Sequence, residues 1–333
     1  MGRFRFPRRT RPRGRAVLLA TALALTATGC VTVHGERLVV PVATPAEAAD
    51  ALRAFTTAYN AADKAYDPAL GVGRVTGPLG AINQAGLRAR SVNFPDGNPE
   101  HVPLELTDAT FTIPKKAGWP RYFLADTDSN RDDDKSAADN RWVLVFLRNA
   151  PGQPWRAAYL SILSPGQIPA LRKDADGHGV PVPADSTAFA HRPAALSRDY
   201  VAYLTSGRPD HFRDGPHTSD WRADRRQDAN RPGKTTQYID QAVTGGDYAP
   251  LGLVTADGDA LVFFTVRTFE RETAAPGVAL PVTPDVRALL TGQVRSSLTK
   301  ERVSSQAVVV PKAPGGKVTV LGRITGLTAA KGS

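Results

Sequence analysis

The N-terminus constrains this chain more than any other feature, because a dense basic block is followed there by a short apolar run. The first fifteen residues include seven arginines and no acidic residue, and residues 16–25 are then almost entirely apolar. This run is too short to cross a bilayer, which takes about 20 helical residues. The pattern is typical of a secretory signal peptide, so we expect residues 1–29 to be removed on export.

The predicted signal peptide ends in Ala27-Thr28-Gly29-Cys30, which resembles the lipobox of bacterial lipoproteins. The resemblance implies that Cys30 is alkylated with diacylglycerol and becomes the first residue of the mature chain. Ala27 departs from the motif, in which leucine is commonest at this position. Cys30 is the only cysteine of the chain, so it has no intramolecular disulfide partner, and lipidation gives it a role. We therefore expect a protein anchored by a lipid on Cys30 to the outer face of the cell membrane.

Two alternatives stay open at the N-terminus. Ordinary signal-peptidase cleavage beside an incidental cysteine would leave Cys30 without a lipid. The pair Arg8-Arg9 fits the twin-arginine export route, but the residues after it are not the apolar ones that this route expects. The general secretory route is therefore favoured, and the twin-arginine route is the alternative.

The net charge of +10 belongs mostly to the signal peptide. The whole chain has 42 basic and 32 acidic side chains, and removal of residues 1–29 leaves 35 against 32, a net charge of +3. The mature part has no long basic block, so we expect no nucleic-acid partner. A hydrophobic content of 41% with 22% charged residues is typical of a globular protein.

A helix start is the clearest local signal after the predicted lipidated tether, residues 30–43. Thr44-Pro45-Ala46-Glu47 combines an N-cap threonine, a proline at the first helical position and a glutamate that completes a capping box. Apolar residues then recur at three- and four-residue spacing, which predicts a helix that ends before Pro68. A shorter helix is predicted at 78–90.

Strand signals follow each helical stretch. Strands are predicted at 104–113, with a bulge near Asp108, and at 122–125, 142–147 and 155–163. The second half predicts a helix at 197–205, strands at 235–242, 248–255 and 260–269 around a tight turn at Asp257-Gly258, a helix from Thr283 through Val294, and a final strand pair at 303–310 and 317–324. The resulting class is α+β.

We expect two domains, each with helices packed on a curved antiparallel sheet. The N-terminal α+β domain spans 44–163, a Pro/Gly-rich linker spans 164–193, and the C-terminal α+β domain spans 194–333. By analogy, the arrangement is similar to cone-shaped folds of the nuclear-transport-factor-2 (NTF2-like) or cystatin-like type.

One segment has the spacing that begins a calcium loop. Asp126, Asp128 and Asn130 alternate as the first ligands of an EF-hand do, but Arg131 occupies the position where that loop needs glycine. The segment also joins two predicted strands instead of two helices. A weak calcium site and a solvated hairpin loop are the two interpretations, and no other metal site is expected.

The sequence predicts no catalytic residues and no cofactor. It has no G-x-S-x-G or S-x-x-K motif, and its one cysteine is expected to carry the lipid. Asp63 and Asp67 beside Tyr59 and Tyr66 form an acid/base hypothesis, with exposed aspartates and core tyrosines as the alternative.

Two other residue types have weaker interpretations. His211 and His217 flank a loop without the spacing of a zinc motif, so ordinary loop histidines are the alternative to a zinc site. Trp221 lies in a polar segment and is the tryptophan to test for ligand stacking, although tryptophans more often serve in packing.

Motifs across nearly the whole chain resemble those of an uncharacterised family of actinobacterial secreted lipoproteins. They include Ala58-Tyr59-Asn60-Ala61-Ala62-Asp63, Gly80-Ala81-Ile82-Asn83-Gln84-Ala85-Gly86-Leu87, Pro216-His217-Thr218-Ser219 and Ala260-Leu261-Val262-Phe263-Phe264. This resemblance implies an envelope lipoprotein but no catalytic residues.

The leading hypothesis is a non-enzymatic binding or scaffolding module of the cell envelope. Its expected partners are the membrane, through the lipid on Cys30, and an envelope protein or small ligand. An envelope enzyme, either a hydrolase or an isomerase, is the first alternative, and a purely structural envelope component is the second. A deep polar cavity with titratable side chains would favour the enzyme.

Overall fold

In the computed structural model, which describes residues 38–333 except 134, 135 and 137, the first helix begins at the predicted capping box. The Thr44 backbone N–H donates to Glu47 Oε2 at 2.8 Å, and the Glu47 N–H donates to Thr44 Oγ1 at 3.1 Å. Both bonds satisfy N–H groups that a helix end leaves without partners. The predicted signal peptide and Cys30 lie outside the described residues.

The described residues form six α-helices and thirteen strands. The helices are α1 Pro45–Ala65, α2 Pro68–Gly71, α3 Gly77–Asn93, α4 Leu196–Ser206, α5 Ser219–Ala229 and α6 Pro284–Ala288. The strands are β1 Val40–Pro41, β2 Leu106–Thr112, β3 Lys115–Lys116, β4 Arg121–Ser129, β5 Arg141–Arg148, β6 Arg156–Leu163, β7 Asn230–Arg231, β8 Lys234–Val243, β9 Leu251–Val254, β10 Ala260–Ala274, β11 Leu290–Thr291, β12 Ser297–Val310 and β13 Thr319–Gly332.

The strands form two main sheets, and β1 pairs separately with β3. Sheet 1 has the antiparallel order β2-β4-β5-β6. Sheet 2 has the order β11-β13-β12-β10-β8-β7, with β9 paired to one end of β10, and β11 alone runs parallel to its neighbour. The predicted bulge is confirmed, because the β2–β4 register shifts between Thr107 and Thr110, where Asp108 has a φ of 45°.

The two sheets pack face to face between two layers of helix. Leu144 and Phe146 of β5 contact the α1 side, whereas Val143 and Val145 face the β9 and β10 residues of sheet 2. The opposite face of sheet 2 packs against α4 through Phe264 and its neighbours. Because both faces of β5 are buried, its sequence is a nearly continuous apolar run.

The α+β class is confirmed, but besides the four-residue α2, which was not predicted, two helices differ from the predictions. The helix predicted from Thr283 through Val294 is wrong beyond Ala288, because Leu290 and Thr291 pair as a strand with Ala330 and Lys331 of β13. The second difference is α5, which sequence periodicity missed. Its only buried residue is an arginine, so it has no apolar stripe to detect.

The segment predicted as a linker, 164–193, lies along β9. Isolated bridges join Leu171 to Thr255 and Pro181 to Leu253. All described residues belong to one compact unit. Apolar residues of both sheets share one interior. The division of the chain into two domains at 164–193 stays a prediction.

Candidate functional site

A groove lies where the helical layer over sheet 1 meets β13 of sheet 2. We call it the α3 groove, since α3 forms one wall. Residues of α1, β5, β6, β13, α6 and the segment after α6 complete it. Its volume is about 450 Å³, within the range of small-molecule sites. Its apolar lining residues are Leu79, Ile82, Ala89, Trp142, Leu160, Ile162, Leu289, Ile324 and Leu327.

A glycine of α3 leaves part of the α3 groove open. Gly86 lines it, and a Cβ atom built on Gly86 would meet no other atom within 4 Å. Glycine costs a helix interior about 1 kcal/mol relative to alanine. Gly86 therefore keeps space where most residues would fill it.

A second glycine brings the opposite wall close to α3. A Cβ atom on Gly326 of β13 would lie 2.5 Å from Ile82 Cγ2, closer than real side chains approach. The backbone of β13 therefore lies directly against the side chain of α3 at this point.

Tyr59 lies in the lining of the α3 groove near Trp142. The two rings meet edge to face with their centroids 6.4 Å apart. Burial raises the pKa of the Tyr59 hydroxyl, and the nearby Asp63 carboxylate raises that pKa further. The hydroxyl is therefore protonated at neutral pH and is a hydrogen-bond donor.

Asp63 is held by a polar cluster next to the α3 groove. Its Oδ2 atom accepts a hydrogen bond from Asn98 Nδ2 at 3.0 Å and lies 2.9 Å from His101 Nδ1. Arg90 Nη1 is 3.9 Å from Asp63 Oδ1, which is an ion pair but too long for a hydrogen bond. Asp63 thus contacts three partners from other parts of the chain.

Arg90 provides the positive charge of the α3 groove, and the Asp285 carboxylate, whose Oδ1 accepts from Asn93 Nδ2 at 2.8 Å, provides its negative charge. The Arg90 side chain is 49% exposed, and its guanidinium lies 5.8 Å from the centroid of the Tyr66 ring. Within the described ranges, the Arg90 guanidinium makes no hydrogen bond. Its planar fork of donors suits a carboxylate or phosphate group.

The acid/base hypothesis groups four residues of the sequence, but in the structure only one of them lines the α3 groove. Tyr59 lines it, and Asp63 lies beside it. Asp67 caps α2, because its carboxylate accepts the backbone N–H of Ala69 at 2.8 Å. Tyr66 is buried against Phe94. No sequence pattern marks His101, which joins the cluster because its loop crosses the end of α1.

The calcium candidate stays a prediction. Asp128 and Asn130 line a surface cavity of about 380 Å³, together with the acidic residues Glu105, Asp132 and Asp133. Asp126 is engaged elsewhere, since Arg141 Nε donates to its Oδ1 at 2.6 Å. Asn130 Oδ1 already accepts the backbone N–H of Glu105 at 2.9 Å.

Trp221 is occupied by the protein's own side chains. The guanidinium groups of Arg225 and Arg323 lie 4.9 and 4.2 Å from its ring centroid. Arg225 also forms a two-pronged ion pair with Asp240, at 2.6 and 3.0 Å, and this pair is buried. The environment of Trp221 therefore indicates packing of α5 on sheet 2.

Fold and groove together define an α+β module with one mostly apolar cleft at the meeting of its layers. The chain belongs to the family described as Domain of unknown function (DUF8094), which matches residues 39–332. It is 53% identical to an uncharacterized lipoprotein of Streptomyces coelicolor and 51% identical to an uncharacterized lipoprotein of Streptomyces avermitilis. Both alignments cover all of this chain and all of the relative. The resemblance to an actinobacterial family is thereby confirmed.

No solved structure matches the chain, so the likeness to cone-shaped folds stays a prediction. Among the described helices, none is both long enough and apolar enough to span a membrane.

Proposed function

We propose that this protein is an extracytoplasmic lipoprotein that binds a small amphipathic molecule with an acidic head group in the α3 groove. The observation that carries this proposal is an apolar cleft of about 450 Å³ beside an arginine that makes no hydrogen bond in the described structure. Apolar walls would hold the body of the ligand, and Arg90 would pair with its head group.

The lipid anchor is supported from two sides. The sequence has an arginine-rich start, a short apolar run and a lone cysteine at Cys30. The two relatives, similar over their full length, are both named lipoproteins. We infer that the lipid holds the protein on the outer face of the cell membrane, where its ligand or an envelope partner is encountered.

Binding without catalysis fits the chemistry around the α3 groove. A general base needs a free proton acceptor within reach of the substrate. The raised pKa of Tyr59 keeps its hydroxyl protonated, and the two nearby carboxylates are engaged: Asp63 accepts from Asn98 and contacts His101, and Asp285, which lines the groove, accepts from Asn93. These groups suit orientation of a ligand better than proton abstraction.

A titration with the fluorescent probe 1-anilinonaphthalene-8-sulfonate tests the binding site. The probe combines apolar rings with one anionic group, and a Cys30→Ser chain allows the titration without detergent or lipid. We expect one probe per chain and a loss of at least about tenfold in affinity for Gly86→Phe, because the new ring fills the α3 groove. Helix α3 should tolerate the change, since glycine is a poor helix former.

The matched control is Gly73→Phe, another glycine with open space around its Cβ position but outside the α3 groove. It should bind the probe as the parent chain does. Equal binding by Gly86→Phe and the parent chain would show that the α3 groove is not the site.

The anchor has its own test in the native host. The wild-type chain should partition with membranes and incorporate labelled fatty acid, whereas Cys30→Ser should do neither. If the Cys30→Ser chain remains labelled and membrane-bound, the anchor proposal is wrong.

A further inference from the structure

We infer that His191, Asp199 and His211 form a binding site for Zn²⁺ or a similar divalent transition-metal ion. One nitrogen of each imidazole and one carboxylate oxygen lie within 4.8 Å of one another. No sequence motif marks this set, because the three residues come from two loops and a helix. The pair weighed from sequence spacing, His211 with His217, is not the one that the fold brings together.

The backbone fixes the positions of both histidines at the turn between β12 and β13. The carbonyl of His211 accepts the backbone N–H of Val318 at 2.7 Å. Next to His191, the backbone N–H of Ala190 donates to the carbonyl of Pro311 at 2.7 Å. Asp199 lies in the first turn of α4. A site held by such contacts loses little conformational entropy when an ion binds.

The distance between two of the groups suits one tetrahedral ion. His211 Nδ1 lies 3.2 Å from Asp199 Oδ2 in a hydrogen bond, and a bound metal ion would replace the proton between them. Two ligands at the usual zinc distances of 2.0–2.1 Å lie about 3.3 Å apart in a tetrahedral site. The third ligand atom would have to move by about 1.5 Å to reach the same edge length, which a side-chain rotation supplies.

His191 has the outer contact that metal-binding histidines commonly have. Its Nε2 atom lies 2.9 Å from the carbonyl oxygen of Gly316. Since a carbonyl only accepts, Nε2 carries the proton and Nδ1 keeps a free lone pair. Such a contact orients the ring and selects the nitrogen that binds the metal. The His191 and His211 rings lie with their centroids 4.1 Å apart and their planes tilted by 32°.

The donor set selects the class of ion. Two imidazole nitrogens with one carboxylate oxygen suit zinc and its neighbours, whereas calcium takes six to eight oxygen ligands. Three protein ligands leave a fourth position for water or for a group from another molecule. Asp199 and His211 side chains are 25% and 36% exposed, so an ion can enter from solvent.

The site is separate from the α3 groove. Val318 lies beside His211, whereas the groove residues of β13 begin at Ile324. Six residues of an extended strand span about 20 Å. Loss of metal binding and loss of probe binding therefore report on different parts of the protein.

Calorimetric titration of the full-length protein with Zn²⁺ tests the inference, with the protein purified without a histidine tag and stripped with a chelator. We expect one Zn²⁺ per chain and a higher melting temperature in the presence of the ion. Asp199→Asn and His191→Ala should each weaken binding by at least about 100-fold, because each removes a ligand. His178→Ala, a histidine outside the cluster, is the matched control and should bind as wild type does.

Two results would overturn the inference. One is a wild-type chain that takes up no Zn²⁺; the other is Asp199→Asn and His191→Ala chains that bind it as tightly as wild type. If a variant fails to fold, the visible absorption of Co²⁺ in the wild-type chain decides. Intense d–d bands of a four-coordinate ion support the site, and the weak bands of octahedral Co²⁺ overturn it.

Discussion

At the scale of single residues, two glycines determine how closely β13 and α3 approach and how much space the α3 groove keeps. Gly326 lets β13 approach Ile82 of α3, whereas Gly86, on α3 itself, leaves space in the α3 groove. One glycine thus closes a contact between layers, and the other keeps a cavity open. The two positions respond to substitution in opposite ways.

Gly326→Ala should lower the free energy of unfolding by about 1–3 kcal/mol, which is the usual cost of overpacking. The added methyl group would meet Ile82, whose β-branched side chain has few alternative rotamers on a helix. Urea denaturation measures the change. Gly73→Ala, where a Cβ atom meets nothing, is the control and should stay within about 0.5 kcal/mol of wild type.

A double-mutant cycle makes the cause of this change explicit. Combined with Ile82→Ala, Gly326→Ala should cost less than in the wild-type background, because the atoms it would meet are gone. Equal costs in the two backgrounds would show that the Gly326–Ile82 contact is not what destabilises the variant.

Arg90→Gln should weaken binding of the anionic probe by about tenfold, the value of one charge-assisted hydrogen bond. The remaining affinity should depend less on salt concentration, because the Coulombic attraction is lost. Arg88→Gln, an exposed arginine two residues earlier on α3, should leave both unchanged. A loss of affinity in Arg88→Gln of the same size would contradict a specific role for Arg90.

At the scale of elements, charged cross-strand contacts stabilise sheet 2 around the C-terminal end of β10. Glu272 of β10 is 3% exposed and pairs with Lys234 of β8 and with Lys300 of β12, the latter at 3.0 Å. Burial alone would raise the pKa of the Glu272 carboxyl, but the two ammonium groups hold that pKa below its usual range. The carboxylate form is therefore more stable in the folded than in the unfolded chain.

Acid should remove this contribution. A carboxyl group whose pKa is lower in the folded than in the unfolded chain stabilises the protein fully above its unfolded-state pKa. This stabilisation is lost as the pH falls through the folded-state pKa. Glu272→Gln should thus cost about 2 kcal/mol at pH 7, the scale of a charged hydrogen bond, and progressively less below pH 4. Urea midpoints at several pH values measure this. A cost that does not change with pH would contradict the ion-pair explanation.

Local signals at the ends of elements explain which helices could be predicted. Helix α1 has a complete capping box and a regular apolar stripe, so its start at Pro45 followed from four residues. Helix α5 has neither, because its inward contact is the buried ion pair of Arg225 with Asp240. No periodicity rule anticipates a helix that packs through a charge whose partner, Asp240, lies on a strand and not on the helix itself.

At the scale of the whole molecule, the two sheets share one interior. Apolar residues from β4, β5 and β6 meet others from β9, β10 and β12 in a single cluster that includes Phe263. Heat should therefore unfold the described residues in one cooperative transition, measured by differential scanning calorimetry. Two separate transitions would instead support independent domains at 44–163 and 194–333.

Phe263→Ala sharpens this test. Truncation of a buried phenylalanine costs about 3–5 kcal/mol through the cavity it leaves. If the sheets unfold together, the single transition moves as a whole to lower temperature. A second transition that stays at the wild-type temperature would contradict the shared interior.

The sites followed from the sequence much less than the fold class did. Strand and helix patterns are local, so they predicted the α+β class and most element positions. The α3 groove needs α1, α3, β6 and β13 together, and the His191–Asp199–His211 set needs two loops to meet. Neither has a spacing rule, because contacts between distant segments are decided by how the layers pack.

Native mass spectrometry of the full-length protein from its own membranes tests the central claim most directly. The wild-type and Gly73→Phe chains should each carry about one small, mostly apolar molecule with an acidic group, released on denaturation, and Gly86→Phe should not. Wild-type protein without any such mass, or the same mass on Gly86→Phe, would contradict a ligand-binding function for the α3 groove.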